Sequence, residues 1–338
     1  MARRKARMPQ GKKLQPAVKT LTFNFTDGST NFISLSQCAS LVNRRFYRAG
    51  LNWAVAGFTF ITTGGSGNIF VQKVPDTYIA SNSWHKGFAT WQRMNNEALE
   101  DVESIRPKFL DFKVYMDPSH HQSGVGNNLI PVDESGNPYT PGVWDMSKMV
   151  IPVTDPGATS IGEAIEREIV WTGANYPGAA PTSGLDAVSL IEGYAASRGL
   201  PDIRDPNVPD DAADSDGGTP ENWISATFNE GTSQSDDVLD TMIDENNIAP
   251  YPFENDGVHT DTQYPGGANN APGLEIHDVV GVSSTTVGNV TRMKGGNFQG
   301  GLIKISDTLT GGTGASILLV HLVPGSHRGY MCQAMQDV

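Results

Sequence analysis

Short runs in which apolar and polar residues alternate, each closed by glycine or proline, restrict this chain more than any other feature. Leu21, Phe23 and Phe25 alternate with Thr22, Asn24 and Thr26, the pattern of a strand with one buried face. Leu51–Thr63 is aromatic and β-branched and ends at Gly64-Gly65-Ser66-Gly67. Asn68–Val74 follows that glycine turn, so the two runs read as a hairpin. Lys108–Met116 is the clearest strand, with Leu110, Phe112, Val114 and Met116 on one face. Further strands are expected at Val143–Val153, Arg167–Thr172, Leu274–Val282, Val290–Lys294, Gly301–Ile305 and Ser316–Val323. With 37 glycines and 21 prolines in 338 residues, these eight to ten strands point to an all-β, loop-rich fold.

Helical spacing is confined to a few places. Leu35, Ala39, Val42 and Phe46 recur at helical intervals behind Ser34, a suitable N-cap. Residues 82–100 put Trp84, Phe88, Trp91 and Leu99 on one stripe, interrupted by Gly87; aromatic residues so spaced read as core before they read as a base-stacking platform. Ser183-Gly-Leu-Asp186 has the form of a capping box ahead of an apolar face of Leu185, Val188 and Ile191, stopped by Gly199 and Pro201. Thr219-Pro220 and Ser235 with Asp236 and Asp237 open two more short helices, and Asp205–Gly218 is nearly devoid of apolar residues. Residues 180–250 therefore read as a helical and loop insertion within a β domain spanning residues 21–338.

Charge is divided by position. The first nineteen residues hold Arg3, Arg4, Lys5, Arg7, Lys12, Lys13 and Lys19, and the first acidic residue is Asp27. Arg44, Arg45 and Arg48 form a second basic cluster, expected on the short helix. From Leu51 onward there are 14 basic and 36 acidic residues. Residues 1–20 carry too little apolar surface to offset the entropy of ordering and are expected to be a disordered arm. A flexible cationic segment binds phosphate by counterion release, without sequence preference. The acidic body repels nucleic acid, so the arm and the Arg44–Arg48 cluster are the expected nucleic-acid-binding residues. A basic tail of this kind also serves as a nuclear localisation signal.

Chemistry is harder to find. No phosphate-binding Gly-x-x-x-x-Gly-Lys-Ser/Thr, no dinucleotide fingerprint after a strand, no Gly-x-Ser-x-Gly elbow and no His-Glu-x-x-His occurs. No catalytic residue is named, and the chain reads as a non-enzyme. His120-His121 lies in a polar loop without nearby partner ligands and reads as surface or interface histidines. Asp211, Asp214 and Asp216 lack the alternating ligands and closing glutamate of a calcium loop. Glu254, Asp256, Asp261, Glu275 and Asp278 are the carboxylates that would hold calcium between subunits, or pair as acid and base in a glycosidase. No cofactor and no metal ligand is assigned; structural calcium at subunit interfaces is the one ion considered. Cys38 and Cys332 form neither a metal spacing nor a disulfide framework, which fits synthesis in a reducing compartment. No apolar run reaches the ~18 residues of a membrane span, and no apolar segment of the signal-peptide kind follows the basic start.

Several strings carry a resemblance. They are Ser81-Asn-Ser-Trp-His-Lys-Gly-Phe-Ala-Thr-Trp91, Arg106-Pro-Lys-Phe-Leu-Asp-Phe-Lys-Val-Tyr-Met-Asp117, Gly184-Leu-Asp-Ala-Val-Ser-Leu-Ile-Glu-Gly-Tyr-Ala-Ala-Ser-Arg-Gly-Leu-Pro201, Ala249-Pro-Tyr-Pro-Phe-Glu-Asn-Asp256 and Tyr264-Pro-Gly-Gly-Ala-Asn-Asn270. With the Arg/Lys start, they resemble the capsid (coat) proteins of small circular Rep-encoding single-stranded DNA (CRESS-DNA) viruses of the aquatic and environmental group. The resemblance covers most of residues 40–305 and involves no catalytic motif. It implies a single jelly-roll β-sandwich of about eight core strands, self-assembly into an icosahedral shell of about 60 copies, and an arm that packages circular ssDNA. It also implies residence in the virion, assembly in the host nucleus, contact with the host nuclear import machinery, and no membrane insertion. One departure is the arm: seven basic residues, where many such capsid proteins carry longer arginine-rich arms. The competing readings are a carbohydrate-active hydrolase on a jelly-roll fold, a capsid protein that packages RNA, and a cellular DNA-binding protein with a basic arm.

Overall fold

A computed structural model describes residues 16–98, 111–152, 164–197, 273–283, 285, 287–311 and 315–338. In chain order the elements are β1 (Thr20–Thr26), β2 (Thr30–Ser34), α1 (Leu35–Asn43), β3 (Leu51–Ile61), β4 (Gly67–Lys73) and α2 (Tyr78–Ala98). There follow α3 (Pro118–Ser123), β5 (Lys148–Pro152), β6 (Ala164–Val170), β7 (Ala187–Ser189) and α4 (Leu190–Ser197). The chain closes with β8 (Glu275–Val282), β9 (Val290–Phe298), β10 (Leu302–Asp307), β11 (Ala315–Leu322), β12 (Pro324–Gly325), β13 (Gly329–Tyr330) and β14 (Cys332–Ala334).

The fold is mostly β, and its two main sheets are antiparallel. One sheet has the order β1-β11-β3-β9, with β14 pairing to the start of β3 on the side away from β9. The other has the order β2-β10-β4-β8. Four pairings are nested: β1 with β11, β2 with β10, β3 with β9 and β4 with β8. The first and last long strands therefore lie side by side, from Thr20 against His321 to Thr26 against Ala315. Inward residues of both sheets meet in one core, including Phe23 and Phe25 of β1, Phe58 and Phe60 of β3, Ile69 and Val71 of β4, and Ile303 and Ile305 of β10. Two sheets face to face over one shared core is the arrangement of a β-sandwich.

Residues 74–274 intervene between β4 and β8, at the closed end of the nested pairings. Within them β5 and β6 pair antiparallel and β6 and β7 pair parallel. A second core forms where this region covers the outer face of the β2-β10-β4-β8 sheet. Phe32 and Leu302 face it, while their neighbours Ile33 and Ile303 face the first core. Helices α2 and α4 pack across Gly87, where a Cβ would overlap Leu190 Cδ2. The glycine that weakens the helical pattern of residues 82–100 is what lets α4 approach.

Three sequence expectations are corrected. Strands β3 and β4 are not a hairpin: the Gly64–Gly67 turn carries the chain from one sheet to the other, because each strand finds its neighbours elsewhere. Residues 111–116 are extended but form no ladder strand; Tyr115 makes a single parallel bridge to Val170, and the Lys113 amide bonds the Ser147 hydroxyl. Residues 108–110 lie outside the described residues. The Ser183–Asp186 box caps no helix. Asp186 instead pairs with Arg167, Ala187–Ser189 pair with β6, and α4 starts only at Leu190, where Ser189 Oγ accepts from the Glu192 amide at 3.3 Å. Of the 180–250 insertion, 198–250 lie outside the described residues, as do the helices expected at Thr219 and Ser235. Cys38 and Cys332 are free thiols.

Phe60 is fully buried and packs edge-on against Phe25, with ring centroids 5.9 Å apart. Phe60→Ala is expected to lower stability by about 3–5 kcal/mol through lost transfer energy and a residual cavity. Urea unfolding followed by tryptophan fluorescence measures it.

Candidate nucleic-acid interface

Arg3, Arg4, Lys5, Arg7, Lys12 and Lys13 lie outside the described residues. The remaining expected cations are placed by a buried aromatic trio of Tyr47, Trp53 and Tyr330. Tyr330 OH donates to Val18 O at 2.6 Å and accepts from Asn43 Nδ2 at 2.7 Å. Asn43 Oδ1 in turn accepts from the Val18 amide at 3.0 Å. The root of the arm is thus fastened to the end of α1. Lys19 belongs to the folded body: its ammonium donates to Gly329 O and lies 5.0 Å from the centre of the Tyr330 ring.

Arg44, Arg45 and Arg48 are exposed, but they follow α1 instead of riding on it. Arg44 ends the helix in the left-handed conformation (φ 53°), its amide closing on Ser40 O. Burial of Tyr47, whose amide bonds Ser40 Oγ at 2.9 Å, then turns the loop back over the helix end. Arg45 Nη1 donates to Pro16 O at 3.2 Å, so this guanidinium sits at the point where the arm begins.

A further cation joins them that sequence reasoning missed. Arg328, in the β12–β13 turn, is exposed and left-handed (φ 48°), and its guanidinium donates to Phe46 O. Tyr47 OH donates to Arg328 O at 3.0 Å, locking the turn against the 44–50 loop. Burial, with the charges of Arg328 and Arg48 adding to it, lowers the pKa of His327, so these cations share one neighbourhood. The available signal was a basic dipeptide at a Pro-Gly turn near the C-terminus; its partner loop lies some 280 residues away in sequence. Lys19, Arg44, Arg45, Arg48 and Arg328 form a cationic patch on the arm's root, the 44–50 loop and the turn bonded to that loop, and its exposed arginines present guanidinium groups suited to phosphate.

The acidic candidates behave differently. Glu275 and Asp278 lie on β8, the edge strand of its sheet. Glu275 is 3.9 Å from Lys73 Nζ, and Asp278 Oδ2 accepts from the Lys294 amide at 3.0 Å. Glu254, Asp256, Asp261 and the Asp211–Asp216 stretch lie outside the described residues. Among the described residues no three His, Cys, Asp or Glu side chains converge as metal ligands. No described helix is long and apolar enough to cross a membrane.

The histidine pair is not at the surface; both rings are buried on α3, which Asp117 caps by accepting from the His120 amide at 2.8 Å. Lys304 of β10 donates to Asp117 Oδ2 at 2.8 Å and Ser119 Oγ at 2.7 Å, tying α3 to the sheet. His121 Nε2 lies 3.0 Å from Glu168 Oε2. His120 Nδ1 accepts from the Met116 amide at 3.1 Å, which puts its proton on Nε2, 2.8 Å from Asn128 Oδ1. The ring also stacks on Phe32, 4.4 Å between centroids. These groups join the inserted region to the β framework.

No protein-family model, no curated protein and no solved structure matches the chain.

Burial drives the His120 pKa down from 6.5 to about 4. Between those values the unfolded chain takes up a proton that the folded one refuses. The contribution is therefore complete above pH 6.5 and lost as pH falls toward 4, by about 3 kcal/mol. Urea unfolding at pH 7.5 and 4.5 is expected to show that difference, reduced by the same amount in His120→Gln. An unchanged difference in the variant would mean that another group carries the linkage.

Proposed function

We propose that this chain is a viral capsid protein: a single jelly-roll subunit that assembles with copies of itself into an icosahedral shell and packages single-stranded DNA through its basic arm. The observation that carries this reading is the conjunction of strand order and cation placement. Counted one to eight, the framework strands form sheets 1-8-3-6 and 2-7-4-5. A long antiparallel ribbon folded over on itself gives that order, and rolling it up leaves long connections at the ends of the two sheets. The arm's root at Pro16 accepts from Arg45, next to the paired first and last strands; Arg44 and Arg48 flank Arg45 in the same loop, and Arg328 is bonded to that loop. Phosphate contacts position a strand without reading its sequence, which suits a protein that must coat a whole genome. The choice of DNA over RNA rests on the sequence resemblance alone, as do residence in the virion and assembly in the nucleus. No catalytic role is assigned, because the two described candidate carboxylates are occupied by neighbours on an open strand.

The arm for this purpose is residues 1–15, since Val18 and Lys19 are bonded into the body; the Leu322 amide donates to Lys19 O at 2.7 Å. Full-length protein is expected to form closed particles in negative-stain micrographs under some ionic condition. A chain lacking residues 2–15 should keep its circular dichroism spectrum, because the patch and core remain. Its particles should show a clearly lower ratio of absorbance at 260 nm to that at 280 nm. Protein that stays monomeric across salt and pH, or particles with equal nucleic-acid content with and without the arm, would overturn this reading. Sensitivity of the extracted nucleic acid to DNase or RNase distinguishes the two genomes.

A further inference from the structure

Between the 44–50 loop, α2 and the β12–β13 turn lies a cavity of about 290 Å³. Four Phe and Trp rings line it, beside Leu51, Ala334, His327 and Gln336. Trp84 and Phe88 stack in parallel with centroids 5.0 Å apart, and Phe112 packs edge-on to both. Phe46 adds a further ring, and Gly50 lies so close to Trp84 that no side chain fits at that position. The exposed Arg48 and Arg328, two members of the cationic patch, line it as well. One wall carries the Asp111 carboxylate, held by the Ala49 amide at 2.7 Å and by Lys113 at 3.4 Å.

We infer that this cavity takes one unstacked base of a single-stranded nucleic acid, whose flanking phosphates rest on the surrounding arginines. Each observation removes an alternative. Aromatic walls have no use for a bare phosphate, and Asp111 would repel one inside the cavity. Two guanidinium groups in the lining have no use for a purely apolar ligand. A duplex keeps its bases stacked and paired, so none is free to enter. A nucleotide meets all three conditions: a flat π-face for the rings, a phosphate for the arginines, and amino groups on the base edge for the Asp111 acceptor. Guanidinium groups that hold phosphates add attraction to the rings beneath them. The arm delivers the strand, because its root at Pro16 is bonded to Arg45 in the same patch. The capsid reading is thereby deepened, since a base pocket gives the shell a preference for single-stranded over paired nucleic acid that a flexible cationic arm lacks. The inference rests on that reading.

The test uses nuclease-treated full-length protein and two fluorescent 20-mers at 0.15 M salt, oligo(dC) and an abasic strand with the same phosphates. Oligo(dC) is expected to bind about 5- to 100-fold more tightly, the range of one base stacked on aromatic side chains. Ala334→Leu, which fills the cavity without changing charge, should abolish that preference. Affinity for the abasic strand, and the slope of affinity against salt, should stay as in the wild type. Phe46→Ala, which removes a half-buried wall, should reduce the preference and provides the answer if Ala334→Leu melts early. Equal binding of the two strands by the wild type would overturn the pocket while leaving nucleic-acid packaging intact. Binding of neither strand would remove both readings. A preference that survives both variants, with melting temperatures unchanged, would also overturn the pocket. So would a leucine variant that binds normally but no longer assembles, since the occupant would then be a second copy of the chain.

Discussion

Burial of Tyr47, Trp53 and Tyr330 is the constraint on which the rest of the interface depends. Each side chain is shut off from water, so each polar atom needs a partner inside the protein. Trp53 Nε1 donates to Ser36 Oγ at 3.1 Å, and that hydroxyl donates to Arg48 O at 2.7 Å. Tyr47 OH takes Arg328 O, and Tyr330 OH takes Val18 O and Asn43. Three hydrogen-bond requirements thus gather the arm root, the end of α1, the 44–50 loop and the C-terminal turn into one place. The segments that carry the surface cations are held in place by the hydrogen bonds that satisfy the rings below.

The framework tolerates its long insertion for a related reason. Strands β1 to β4 pair outward-in with β11, β10, β9 and β8, so the connection joining β4 to β8 lies at the innermost turn of the nest and can lengthen without breaking a pairing. The inserted region returns over the outer face of one sheet and buries Phe32 and Leu302 on a second core. The sheet therefore buries apolar residues on both faces where β2 and β10 pair, Phe32 beside Ile33 and Leu302 beside Ile303. The polar groups trapped at the seam, His120, Asn128 and Gln37, bond one another, and the neutral imidazole this requires makes the seam sensitive to acid.

Local pattern was a good guide wherever one strand face meets one core. Leu21, Phe23 and Phe25 define β1 almost to the residue, and Ser34 caps α1 as its position suggests. Pattern misled where a partner decided the outcome. Residues 112–116 have the alternation of a strand, yet Lys113 bonds a serine hydroxyl and only Tyr115 reaches β6. Ser183 and Asp186 have the spacing of a cap, yet the Asp186 carboxylate pairs with Arg167. A glycine turn between two strands announces a hairpin, yet β3 and β4 belong to opposite sheets.

The sequence by itself determined the class of fold, the positions of most strands, the separation of a cationic arm from an acidic body, and the basic residues 44, 45 and 48. These follow from periodicity and composition, which are local quantities. Tertiary structure decided which strands pair, where the arm is fastened, and that Arg328 joins Arg48 over an aromatic cavity. Those depend on contacts between residues up to about 300 positions apart, and hydrogen-bond demand in a closed core, not local preference, selects them.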